Sequence, residues 1–210
     1  MTLNEWATES HATAYLSRPD VRRRAEGEAT LWELLPPAGI GRALDLGTGD
    51  GRLLARVRDR CPFEAGVAVD FSPTMLAAAR ARFDGDPSVA VVEHNLSDPL
   101  PAALGRFDLV VSSFAIHHLS HERKRALYAE VFALLTPGGW FCNLEHVASP
   151  TATLHDAFYE LIGGPDDPAN QLLGVATQLE WLREIGFVDV DCFWKWRELA
   201  LLAGRTPAAS

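Results

Sequence analysis

The stretch Leu44-Asp45-Leu46-Gly47-Thr48-Gly49-Asp50-Gly51-Arg52 decides the fold. Before it, Arg42 to Leu46 is a short apolar run of strand character, and after it residues 52–60 read as a helix. A glycine-rich turn between strand and helix lets the backbone pass close to a ligand in conformations that a β-carbon forbids. The spacing is GxGxG, with the third glycine two residues after the second, so the dinucleotide fingerprint GxGxxG is not met. Asp45 stands at the strand end, where a carboxylate repels a pyrophosphate and suits a cationic amine. Asp70 lies 19 residues beyond Gly51 and ends the next apolar run, Gly66 to Asp70. A carboxylate there can accept hydrogen bonds from both hydroxyls of a ribose. Phe71 follows, placed to pack on a flat ring.

The same alternation continues outward. Ser72-Pro73 opens a helix that runs to about Phe83, with Ser as cap and Pro in the first turn. Val89 to Glu93 and Phe107 to Ser112 are the third and fourth strands. Residues 121–135 form an amphipathic helix closed by Thr136-Pro137-Gly138-Gly139, and Trp140 to Val147 is the fifth strand. Residues 152–162 read as helix and 163–168 as loop. The capping box Thr177-Gln178-Leu179-Glu180 starts a helix that ends at Gly186. Phe187 to Trp196 and Glu198 to Ala203 are two strands too close for a crossover, hence an antiparallel pair. On the amino side, residues 1–35 read as helical, anchored by Trp6, Tyr15 and Leu31, until Pro36-Pro37. Continuous apolar strands separated by helices predict an α/β fold with a largely parallel sheet buried on both faces, and such sheets bind ligands at the carboxyl ends of their strands.

Composition narrows the classes. At 210 residues, with 48% apolar and 22% charged, the chain is one globular domain. We divide it into a helical cap or lid (1–37), a cofactor-binding core (38–148) and substrate-side helices with the final strand pair (149–210). Net charge of −9, from 28 acidic and 19 basic residues, disfavours nucleic acid as a partner. Arg22 to Arg24 is a local basic cluster, and Arg52, Arg56 and Arg60 read as a solvated helix face. No run of 18 apolar residues predicts a membrane span, and Met1 to Glu5 lacks the character of a secretory leader. Three dispersed cysteines (Cys61, Cys142, Cys192) argue for a reducing, cytoplasmic compartment and against a zinc site. His94, His117, His118 and His146 lack ligand spacing, so no metal is expected.

Together these residues resemble the class I S-adenosylmethionine-dependent methyltransferases over roughly 40–145, most of all the small-molecule enzymes similar to those of ubiquinone and menaquinone biosynthesis. The resemblance rests on the motif at 45–51, Val69-Asp70-Phe71-Ser72-Pro73-Thr74-Met75-Leu76, Phe107 to Ser112 with Ile116-His117-His118-Leu119 after it, and Leu135 to Gly139. It implies a Rossmann-like three-layer sandwich whose seven-stranded, mostly parallel sheet has the order 3-2-1-4-5-7-6 and an antiparallel last strand. It also implies S-adenosyl-L-methionine as cofactor. Gly47, Thr48, Gly49 and Gly51 would run beside its methionine part, with Asp45 on the ammonium and Asp70 on the ribose. Phe71, Met75, Asn95 and Leu96 would surround the adenine, Asn95 standing where the family usually has an acid. Ser112 and Ser113 would lie near the sulfonium.

Methyl transfer is an in-line displacement, so the protein must align a nucleophile, exclude water and, for some acceptors, take a proton. His118 after the fourth strand and Glu145 with His146 at the end of the fifth are the candidates for that. Tyr15, Arg22 to Arg24, Phe158, Tyr159, loop 163–168, Trp194 and Trp196 are candidates for the wall around a small-molecule substrate. Two other readings keep the cofactor: carboxy-transfer chemistry and a non-catalytic binding module. A nicotinamide-dependent dehydrogenase is opposed by the glycine spacing.

Overall fold

The computed structural model describes residues 23–36 and 38–209. Its strands are β1 (Ile40–Leu46), β2 (Phe63–Asp70), β3 (Val89–Glu93), β4 (Phe107–Ser113), β5 (Leu135–His146), β6 (Val188–Trp196) and β7 (Leu199–Arg205). Its helices are α1 (Arg24–Leu34), α2 (Arg52–Arg60), α3 (Pro73–Arg82), α4 (His121–Leu134), α5 (Ala152–Ile162) and α6 (Val175–Ile185), with short 3-10 turns at Ala102–Leu104 and Ile116–His118. The seven strands form one sheet in the order β3-β2-β1-β4-β5-β7-β6. Pairing is parallel from β3 to β5, and β7 is antiparallel to both β5 and β6. The order and the single antiparallel strand are those expected from the sequence.

Side-chain alternation along the central strands makes the three layers. Val110, Phe141, Ala200 and Leu202 face α4 and α6, where Leu127, Tyr128, Val131, Leu179 and Leu182 are buried. Leu109, Val111, Cys142, Leu144, Leu201 and Ala203 face the other way, onto Leu31 and Leu35 of the α1 region and Leu53 and Val57 of α2. With both faces covered, the carboxyl edge of the parallel strands is where a ligand can reach the sheet.

Tertiary contacts override several local expectations. Helix α6 starts at Val175 with Gly174 as N-cap, so the box at Thr177 does not form. Instead Gln178 turns inward, accepting from the Tyr128 hydroxyl at 2.6 Å and donating to the Leu173 carbonyl at 2.9 Å. Thr136 to Gly139 lie within β5, which follows α4 directly. Ser72 takes the N-cap position of α3 without a side-chain bond. Arg52 and Arg56 are no solvated face: both reach Glu28, a wholly buried carboxylate of α1, Arg56 at 2.5 Å. Trp6, Tyr15 and Arg22 lie outside the described residues. Trp194 and Trp196 both face the α1 side, Trp194 near Gly27 and Trp196 under the Arg23 guanidinium at 5.0 Å.

Candidate active site

The carboxyl ends of β1 to β4 surround one cleft. Asp45, Gly47, Thr48, Gly49, Asp70, Phe71, Met75, Asn95, Leu96, Ser113, Phe114 and His118 line it, and Arg24 joins them from α1. Gly47 has φ +66°, and a β-carbon on it would lie 2.2 Å from that of Ala115. The loop therefore sits against the turn after β4, and only glycine fits there. Phe114 at that turn is itself left-handed, with φ 52°, a conformation that costs about 1 kcal/mol or more for a non-glycine residue. The Arg24 guanidinium lies over its ring at 5.1 Å.

Asp45 forms the buried floor. Its Oδ2 accepts from the Thr48 hydroxyl at 2.7 Å, while Oδ1 makes no hydrogen bond among the described residues. Burial pushes this carboxyl up to about 7; the Thr48 bond and the Leu54 amide in the first turn of α2 offset this only in part, and Asp70 adds to it. A buried acceptor without a donor is unfavourable unless a ligand supplies one. A cation does so best.

Asp70 is differently placed. Oδ1 accepts from the amides of Phe71 (2.8 Å) and Ser72 (2.9 Å), and Oδ2 from the amide of Gly49 (2.9 Å). Burial raises its pKa and these three bonds oppose the rise. A carboxylate has about four acceptor positions, so one remains, on Oδ2. Asp70 thus shapes the glycine loop as well as facing the cleft. Asn95 Oδ1 accepts from the Ser97 amide at 2.9 Å, an Asx turn that keeps one lone pair available. Leu96 is anchored through its carbonyl to Arg123 Nε at 2.7 Å.

Two expected cofactor residues stand outside the lining. Ser112 is buried in the sheet and donates to the Leu46 carbonyl at 2.8 Å, so of the two serines Ser113 is the one at the cleft, its buried hydroxyl without a hydrogen bond among the described residues. Gly51 backs onto Phe83, which a β-carbon would meet at 2.5 Å. His94, which the sequence offers only as a metal-type histidine, also lines the cleft, its buried Nε2 without a hydrogen bond among the described residues.

The methyltransferase-domain family model matches residues 43–139, the span that builds this cleft. An uncharacterized methyltransferase of Mycobacterium tuberculosis is 34% identical over 131 residues, 62% of either chain. A demethylmenaquinone methyltransferase of Thermus thermophilus is 35% identical over 111 residues, 52% of this chain and 49% of that one. The solved structure of an O-methyltransferase family protein from Burkholderia thailandensis superposes with a TM-score of 0.75 at 21% identity, covering 98% of this chain and 63% of its own. Residues 43–139 are thus similar to a methyltransferase domain, and the fold of the described chain is that of the solved O-methyltransferase-family structure. The chain spans about six tenths or less of the length of the curated relatives named here.

The remaining candidates divide between the cleft, where His118 stands, and a layer behind it. Glu145 and His146 do not pair through their side chains. Glu145, wholly buried, meets His117 Nδ1 at 2.7 Å and accepts from the His146 amide at 2.8 Å. Burial drives both members of the Glu145–His117 pair toward their neutral forms, Glu145 up and His117 down. Asn143 Nδ2 links Glu145 to the Tyr128 hydroxyl, each at 3.4 Å. Lys124, buried, donates to the carbonyls of His117 (3.2 Å), Leu119 (2.9 Å) and Gln171, which fixes the turn that carries His118. His118 stays at the cleft, 4.0 Å from the His117 ring; burial first, then His117, hold its pKa down to about 3. His146 Nε2 meets Glu198 at 2.9 Å. Glu28, Glu198 and His155 had no motif to single them out, because their partners lie far away in the chain.

Proposed function

We propose that this protein transfers the methyl group of S-adenosyl-L-methionine to a small-molecule acceptor by in-line displacement. The observation that carries the reading is the unpartnered Oδ1 of Asp45 on the floor of the cleft, beside a glycine loop that leaves room for a ligand. An α-ammonium group fits that oxygen. On this reading Gly47, Thr48 and Gly49 flank the methionine part, and Asp70 holds the ribose by its remaining acceptor position. Phe71 and Met75 pack on the adenine, Asn95 and Leu96 meet its edge, and Ser113 faces the sulfur end. Residues 38–148 are then the cofactor core, and 149–209 with the described part of the cap form the acceptor side. Cys61, Cys142 and Cys192 are free thiols, in keeping with a reducing, cytoplasmic setting. No helix among the described residues is long and apolar enough to cross a membrane.

The cofactor supplies an electrophilic methyl group, so what remains for the protein is alignment, exclusion of water and proton handling. Alignment alone lowers a barrier by up to about 7–11 kcal/mol in ideal cases. His118 is the one histidine of the two strand ends that reaches the cleft. Held neutral, it can orient an acceptor hydroxyl or amine and take its proton. Glu145 and His146 act behind it, through His117 and Glu198.

Calorimetry with S-adenosylhomocysteine tests the cofactor site: the parent should bind it in preference to NAD, and Asp70→Ala should weaken binding about 10–150-fold. Tight NAD binding, or unchanged affinity in the variant, overturns the reading. Turnover on a panel of small hydroxyl, amine and activated-carbon acceptors then identifies the acceptor atom. Arg24 at the cleft keeps one second reading open, a cofactor carrying a carboxylate on its methyl group; preference for carboxy-S-adenosylmethionine in the same calorimetry would select it.

A further inference from the structure

Helix α5 follows β5 and buries one side chain of its own, Phe158. What fixes it is polar. His155 on α5 places Nδ1 3.0 Å from Glu198 Oε1 and Nε2 3.3 Å from Asp166 Oδ2. Glu198 sits in the β6–β7 turn with a wholly buried side chain, and its other oxygen meets His146 Nε2 at 2.9 Å. Carboxylate oxygens only accept, so an imidazole between two of them donates from both nitrogens and is a cation. Asp166 also accepts from Asn170 Nδ2 at 3.4 Å. One residue further on, Asp167 acts on His117 and His118, and the Ala169 backbone bonds His118, the histidine of the cleft.

We propose that Glu198 and His155 are positioning residues of the acceptor side: the bridge Glu198–His155–Asp166 holds the 163–170 loop over His118 and sets the wall that an acceptor meets. This rests on the reading that the acceptor approaches at His118. The groups facing His155 are the Glu198 and Asp166 carboxylates, the Tyr159 ring at 4.9 Å and, across Glu198, His146. The bond to Glu198 first, and then the nearby carboxylates, raise the pKa of His155 above its ordinary 6.5. A histidine raised in the folded state stabilises it fully below the ordinary value, and the contribution is lost as pH rises through the raised one. The bridge therefore holds at pH 6 and loosens as the pH rises through the raised value, so pH 6 is compared with pH 9.

Backbone hydrogen exchange on the full chain without ligand, corrected for intrinsic rates, tests this at the two pH values. Peptides covering 152–170 should lose about tenfold or more of their protection at pH 9, while β4 peptides keep theirs. His155→Gln should exchange at pH 6 as the parent does at pH 9. Glu198→Gln should behave likewise; should its buried substitution prevent folding, Asp166→Asn serves, with a smaller loss. With an acceptor in hand, His155→Gln should raise the acceptor KM and flatten its pH profile, leaving S-adenosylhomocysteine affinity within twofold. Equal protection of 152–170 at both pH values, or His155→Gln matching the parent at pH 6, overturns the proposal. A failed cofactor assignment would show instead as absent S-adenosylhomocysteine binding in the parent, which the exchange measurement does not use.

Discussion

Replacing Asp45 by Asn should stabilise the ligand-free protein and weaken its cofactor site. The carboxyl is raised from 3.8 to about 7 by burial. An acid raised on folding binds more protons folded than unfolded, so stability falls as pH rises between these two values. At about 1.4 kcal/mol per tenfold, the ionised group costs the fold on the order of 4 kcal/mol above pH 7. Asn removes that cost but places an amide N–H₂ where no acceptor waits, worth about 1–3 kcal/mol. The net gain at pH 8 is on the order of 1–3 kcal/mol. It should shrink or reverse by pH 5, where the parent's acid is already neutral in the fold. Binding moves the opposite way. An ammonium on Oδ1 needs the ionised form, so parent affinity should fall about tenfold for each pH unit below about 7, with proton release on binding. In the variant, affinity should drop about 10–150-fold and lose that slope. Thermal unfolding at pH 5 and 8, and calorimetry with S-adenosylhomocysteine from pH 5.5 to 8 in two buffers of different ionisation enthalpy, measure both. A flat affinity profile in the parent, or a variant that binds equally well, would refute the assignment of Asp45 to the ammonium.

Gly47→Ala should cost about 2–3 kcal/mol in denaturant unfolding, since its β-carbon would meet that of Ala115 at 2.2 Å on a backbone with φ +66°; a loss under 0.5 kcal/mol would show that the turn after β4 can yield. Glu28→Ala leaves Arg52 and Arg56 without their shared carboxylate. With those side chains 26% and 39% exposed, the loss should be about 1–2 kcal/mol rather than the larger figure for a fully buried pair, read as a fall in Tm of a few degrees. In kinetics, His118→Gln should lower turnover by about 10²-fold if it takes a proton, whereas Glu145→Gln, one layer back, should lower it less than tenfold; the reverse order would move the proton acceptor to Glu145.

The sheet was legible because its parallel strands are buried on both faces and so are written as continuous apolar runs. Val89–Glu93 and the helix 152–162 occur where the sequence places them. The cleft was legible for a related reason: a parallel sheet presents its ligands at strand ends, so Asp45, Asp70 and Ser113 could be located by finding where each run stops. What local sequence could not carry is pairing across the fold. Glu28 lies 24 residues from Arg52, His117 lies 28 from Glu145 and His155 lies 43 from Glu198. Each contact exists only once the layers have assembled.

Glu145 shows how far the strand-end rule reaches. Residues at a strand's carboxyl end are near the ligand edge, but alternation still divides them between the two faces. In β5, Phe141 packs beneath α4 and α6, and Leu144 packs toward α1 and α2. Counting by two from Phe141 puts Asn143 and Glu145 on the α4 side, where the Tyr128 hydroxyl of α4 meets Asn143 and His117 meets Glu145. A carboxylate there is covered by a helix rather than opened to the cleft, and burial drives it toward the neutral form. It reaches the cleft only through the turn that carries His117 and His118. The same alternation separates Ser112 from Ser113 in β4: one serine ties two strands together, and its neighbour faces the cleft. Strand ends narrow the site to pairs of adjacent residues, and the helix packed on each face decides which member of the pair can touch the chemistry.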